Sequence, residues 1–246
     1  MNKTLLHFII FLFIPIVGVA QKIEIPYDFP VKPNTEEWKK LKTGKQMLEV
    51  CQIPENILEK ITTKALVETC MNYPLFGDFI YTNNEFEGIN WIINNFNGLK
   101  ELRKRNNGTS ELIRIYEKMN TSSVRSSDEN GVDNPILRQQ YIELLLSSDI
   151  LFNQLNNDER IQLLEISMDK YNEKLRNSNI YGLSSIKKSL FIAAKVYNKQ
   201  NAEAQPTENN KIVRSFIENI NTISPTELSE VSRILMESYR NKDHIK

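Results

Sequence analysis

Residues 51–74 read CQIPENILEKITTKALVETCMNYP, and their punctuation decides the fold class. Gln52-Ile53-Pro54 ends one helical phrase, and Pro54 suits the first position of the next. A short helix then carries Ile57, Leu58 and Ile61. Thr62 or Thr63 caps a third phrase, with Leu66, Val67 and Cys70 on one face. Asn72-Tyr73-Pro74 stops it. Every apolar recurrence in the stretch has a helical period, and none alternates as a half-buried strand would.

The same reading extends in both directions. Upstream, Asn34 or Thr35 caps a helix with Glu36 and Glu37 in its first turn. Trp38, Leu41, Leu48 and Cys51 follow at helical spacing, weakened at Gly44. Residues 21–34 contain three prolines and form an extended lead-in. Downstream, residues 75–88 are aromatic and partly turn-like, with a loop at Thr82 to Asn84. Ile89, Ile92, Ile93, Phe96, Leu99 and Leu102 predict one helix, stopped at Asn106-Asn107-Gly108. Another runs from Ser110 to Met119.

Residues 120–134, NTSSVRSSDENGVDN, are polar and read as a loop or linker. They divide an N-terminal helical part, 35–119, from a C-terminal one, 135–242. The second part opens on Asn134-Pro135, a cap followed by proline at the first helical position. Its apolar stripes are Leu137 to Leu151, Ile161 to Leu175, Ile186 to Tyr197, and Val213 to Ile220. Ser224-Pro225-Thr226-Glu227 is a capping box that opens the last helix. The sum is an all-α chain of about nine or ten helices in antiparallel hairpins. Either an irregular array or an α-solenoid fits such hairpins, and the absence of a fixed repeat period favours the irregular array.

The first twenty residues stand apart. Lys3 precedes an apolar run from Leu5 to Val17, and Gly18-Val19-Ala20 places small residues before Gln21. This is the pattern of a cleaved secretory signal. The run is short for a membrane span of about 20 residues, so no span is expected after cleavage. The expected location is secreted or periplasmic.

Composition excludes several chemistries. Among 246 residues, 31 are Lys or Arg and 31 are Asp or Glu. This balance provides no field to draw nucleic acid. The two histidines are His7, inside the signal-like run, and His244, near the end of the chain. A Ser-His-Asp apparatus or a zinc enzyme needs imidazoles on a packed scaffold, so neither is expected, nor is a metal site or cofactor. The eight glycines are scattered, and no phosphate-binding loop is formed. No residue is assigned a catalytic role.

Two features remain as candidate sites. Cys51 and Cys70 each close a helical phrase just before a proline. In an exported protein they are either a disulfide or two buried thiols. The aromatic stretch that includes Tyr73, Phe76, Tyr81 and Trp91 is either core or a recognition surface. Two functional classes follow. The first is a non-catalytic helical module that binds a protein or peptide. The alternative is a carboxylate-dependent glycan-cleaving enzyme, for which Asp78, Glu85 and Glu87 are the acids nearest the aromatics.

The segments CQIP, TKALVETCMNYP and FNGLKELRKR resemble those of a group of secreted bacterial helical proteins of unknown function. The resemblance covers roughly residues 36–175. It implies export and a helical fold, and it carries no activity and no catalytic residues.

Overall fold

The computed structural model describes residues 22–119, 134–203, 205 and 207–240. The signal-like residues 1–20, nearly all of the 120–134 linker, and His244 lie outside the described residues. Among those described, the chain is 71% helical with no strand or sheet. Thirteen α-helices and one 3-10 helix follow in order. The fold is all-α.

There are more helices than the apolar periodicity predicts because packing cuts several of them. The first expected helix is two. These are α1 (Glu36–Lys39) and α2 (Gly44–Val50), and Thr43 opens α2 with a reciprocal capping box to Gln46. Then come α3 (Glu55–Leu58) and α4 (Thr63–Met71), the latter capped by Thr62. A 3-10 helix, η1, spans Phe76–Tyr81.

The long helix expected after it breaks at Phe96 into α5 (Glu85–Asn95) and α6 (Asn97–Leu102). The cause is tertiary. The Asn97 side chain accepts from Ile53 N–H at 2.9 Å and donates to Ile53 C=O at 2.7 Å, while Gln52 Oε1 accepts from Asn97 N–H at 2.9 Å. These bonds hold the Gln52-Ile53-Pro54 turn against the break. Arg105 fastens the far side of the same corner by donating to the carbonyls of Ile61 (2.7 Å) and Leu58 (3.1 Å).

The lead-in lies along this corner. Ile23 makes a single parallel bridge to Ile61, and Tyr27 N–H donates to Thr69 Oγ1 at 2.8 Å. Phe29 is buried against Tyr73 and Phe96, whose rings stack at 4.1 Å.

After α7 (Gly108–Lys118), the C-terminal part begins with α8 (Pro135–Ser147), capped by Asn134. Gln139 and every residue from Tyr141 to Ser147 are buried. A helix buried on every face belongs in a core, and each fully buried leucine of Leu144 to Leu146 contributes about 1.5–3 kcal/mol of burial. α8 packs on α5, α7, η1 and α11. In a solenoid each unit touches only its neighbours, so these contacts make the fold an irregular array. They also carry one apolar core across both helical parts.

The remaining helices are α9 (Asp149–Phe152), α10 (Asn157–Arg176), α11 (Ser178–Gln200), α12 (Glu208–Glu218) and α13 (Pro225–Arg240). α10 and α11 form the most extensive pair. α11 is kinked at Gly182, with φ 65° and ψ 164°, a conformation nearly confined to glycine. Ser224 and Glu227 form the expected capping box before α13.

Candidate functional site

The aromatic stretch divides in two. Tyr73 and Phe76 are buried in the core, so this half of the expected recognition surface is packing instead. Phe76 lies against Tyr141 of α8 at 5.4 Å, and the turns through Pro74 and η1 direct both rings inward. Tyr81 and Trp91 are exposed, at 84% and 48%, because they lie at the end of η1 and on the outer face of α5. The four residues do not form one surface.

Cys51 and Cys70 are free and wholly buried. Burial pushes the Cys51 thiol up to about 12, with Asp78 adding to the shift. Burial also raises Cys70, against a small pull from Arg105. Thiols held protonated in this way are poor nucleophiles.

None of the three acids near the aromatics, Asp78, Glu85 and Glu87, lines either of the two large grooves. Burial raises the Asp78 carboxyl. Glu85 is bound to the buried Lys188 ammonium at 2.8 Å. Among the described residues, no group of three His, Cys, Asp or Glu side chains could hold a metal. No described helix is long and apolar enough to cross a membrane.

Sequence reasoning missed the most densely bonded polar cluster. Glu143 of α8 is buried and meets the buried Lys174 of α10 through both carboxylate oxygens, at 2.7 and 2.8 Å. Tyr116 (2.8 Å) and Ser189 (2.6 Å) also donate to Glu143. Lys174 donates its third bond to Ser185 C=O at 3.0 Å. Burial holds the Lys174 ammonium below lysine's usual value, partly offset by Glu143. Glu143 and Lys174 are 31 residues apart, and each reads alone as a surface charge. The only hint in the sequence is an acid inside the apolar run Tyr141 to Leu146. The cluster is closed to solvent and internally satisfied, so it ties α7, α8, α10 and α11 together and offers nothing to a ligand.

One turn further along α8 the surface opens. A groove of about 800 Å³ runs between α5, the α8–α9 junction, α11 and the turn from α12 into α13. Its floor is apolar, with Phe152 and Phe191 nearly buried and Phe86 packed on Phe191 at 4.8 Å. Lys195 closes one side by donating to Ser147 C=O at 2.6 Å, pairing with Asp149 and lying over the Phe152 ring at 4.9 Å. Six asparagines reach the lining: 84, 90, 153, 198, 219 and 221. Three are spent locally. Asn84 caps α5, Asn198 accepts from Arg214 at 3.0 Å, and Asn219 donates to Ser215 C=O at 3.0 Å. The Asn90, Asn153 and Asn221 side chains make no hydrogen bond to the described residues. No motif marks this groove, because its walls come from helix ends and turns scattered over more than 130 residues.

Comparisons with protein-family models, with curated proteins and with solved structures returned no match.

Proposed function

We propose that this chain is an exported, non-catalytic helical module of the cell envelope that binds a protein or peptide partner in the groove beside α8 and α9. The observation that carries this reading is the groove itself. Its volume of about 800 Å³ lies within the range of ligand sites, roughly 300–1,000 Å³, and such sites combine an apolar floor with a few placed polar groups. Its polar rim includes carboxamides that the fold does not use. The signal-like residues 1–20 and the resemblance to exported helical proteins support the location. The glycan-cleaving alternative has less support, since Asp78, Glu85 and Glu87 line neither groove and, of the two carboxylates that line this one, Asp149 and Glu218, the first is paired with Lys195.

The test is crosslinking capture from the envelope and extracellular fractions, with wild-type protein beside an Ala202→Trp variant. Ala202 is exposed on the groove wall, so the indole obstructs the groove without disturbing the core. Partners recovered by the wild type and lost by the variant are the expected result. Identical recovery from both would sink the groove reading, and absence of the protein from both fractions would sink export.

A further inference from the structure

The groove's unspent groups also define what it takes. We infer that its ligand is an extended polypeptide segment, held chiefly through its main chain rather than through its side-chain charges. The inference deepens the reading of the groove as a binding site and rests on it.

Three observations carry the inference. The first is the type and placement of the free polar groups. Asn90 stands on α5, Asn153 just after α9, and Asn221 in the turn between α12 and α13. A carboxamide offers one acceptor and two donor hydrogens at a single point. That pairing matches the C=O and N–H groups that an extended chain presents along its edge. Three such points on three separate elements surround the groove, each exposed and none with a hydrogen-bond partner among the described residues.

The second observation is charge. Lys195 is already paired with Asp149. The other charged side chains in the lining are Lys199 and Glu218, one of each sign. A phosphorylated ligand or nucleic acid would need a cationic excess, and the lining has none. The main chain of a peptide is uncharged and needs none.

The third is the floor. In an extended peptide, successive side chains point to opposite faces. Alternate residues then reach the half-buried Phe86 and Ile217 above that floor, while the others face water. An oligosaccharide would instead stack its sugar faces on exposed rings. Among the described residues the exposed rings, Tyr81 and Trp91, are not part of the lining, whose own rings are nearly buried (Phe152 and Phe191, 3% and 6% exposed) or half-buried against a neighbour (Phe86 on Phe191).

The experiment selects short linear peptides on the intact protein from a displayed random library, then titrates the synthetic, end-capped peptides by calorimetry. Asn90→Ala, Asn153→Ala and Asn221→Ala are each expected to weaken binding about two- to ten-fold, the effect of one hydrogen bond. N-methylation of alternate main-chain nitrogens in the peptide should weaken it at least as much. Asn177→Ala should leave affinity unchanged, because that amide bonds Glu173 C=O outside the groove. Affinity should change less than about two-fold over a ten-fold rise in salt.

Peptides that bind with equal affinity to all three asparagine variants, and after N-methylation, would overturn the inference. If Ala202→Trp still blocked them, the groove would remain a binding site of another kind. Recovery of no binding peptide, or binding of soluble oligosaccharides in place of peptides, would also overturn the inference. In those cases the capture experiment decides separately whether the groove binds anything.

Discussion

Two regions that α8 joins hold polar side chains and use them in opposite ways. At Glu143 the acid, the lysine, the phenol and the hydroxyl are closed from water and bonded to each other. The groove, which α8 enters through Leu144 and Ser147, presents carboxamides and charges that reach solvent, several without a hydrogen-bond partner among the described residues. A polar group whose bonds are all made inside the protein is a structural part. One left with free valence at a concave surface is available to a ligand. The contrast separates what holds this molecule together from what it can do.

The buried region is easiest to break. Glu143→Ala leaves the Lys174 ammonium buried with the Ser185 carbonyl as its remaining acceptor and the Tyr181 ring at 5.9 Å. Removing one partner of a buried pair costs about 3–5 kcal/mol, and urea unfolding should show it with little change in slope. Glu143→Leu combined with Lys174→Met should recover most of that loss, because the apolar pair no longer carries an uncompensated charge. A single-variant cost below about 1 kcal/mol, the value of an exposed pair, would contradict the closed, structural reading.

The thiols provide the next largest effect, and it depends on pH. Unfolded cysteine ionises at about pH 8.5. Folded Cys51 does so only up at about 12, and Cys70 is also raised. Below about 8.5 both states keep their protons, so the stabilisation is fully present there. Above it the unfolded chain loses protons that the folded chain retains, so stability falls as pH rises toward the folded values. At about pH 9.5 the two thiols together should cost about 1.5–3 kcal/mol. Cys51→Ala with Cys70→Ala should flatten this alkaline slope, whatever constant offset the smaller side chains introduce. Alkylation of the unfolded, unreduced protein checks the premise by labelling both cysteines. An unlabelled pair would reveal a bridge and remove the slope.

Much of the fold was legible because helices announce themselves locally. Thr62, Asn134-Pro135 and Ser224-Pro225 act as the caps their types predict. The three prolines of the lead-in keep it extended. What was not legible is tertiary. Near Phe96 the sequence offers only local punctuation, Asn94-Asn95 and Asn97-Gly98, and the break is fixed by Asn97 bonding Ile53, 44 residues away. The even burial of α8 hides its neighbours, since a helix with no polar face gives no direction to its packing. Tyr73 and Tyr81 belong to one aromatic stretch, and only the turn geometry between them sends one inward and the other out. The candidate site was hidden for the same reason as the helix break. Its free carboxamides are three of many asparagines, singled out only by what the fold leaves unbonded.

That last distinction yields the smallest expected effect and the sharpest form of the comparison. Asn90, Asn153, Asn221 and Asn97 are the same residue, and changing each to Ala deletes the same atoms. Asn97→Ala strands the N–H and C=O of buried Ile53 and should cost about 1–3 kcal/mol of stability. The three groove variants remove exposed side chains that make no hydrogen bond to the described residues, so each should shift unfolding by less than about 0.5 kcal/mol. Urea denaturation of the four variants side by side makes the measurement. If a groove asparagine proves as costly as Asn97, its amide is holding the fold and cannot also be waiting for a ligand. If all three are neutral to stability and still weaken peptide binding, their free valence belongs to function.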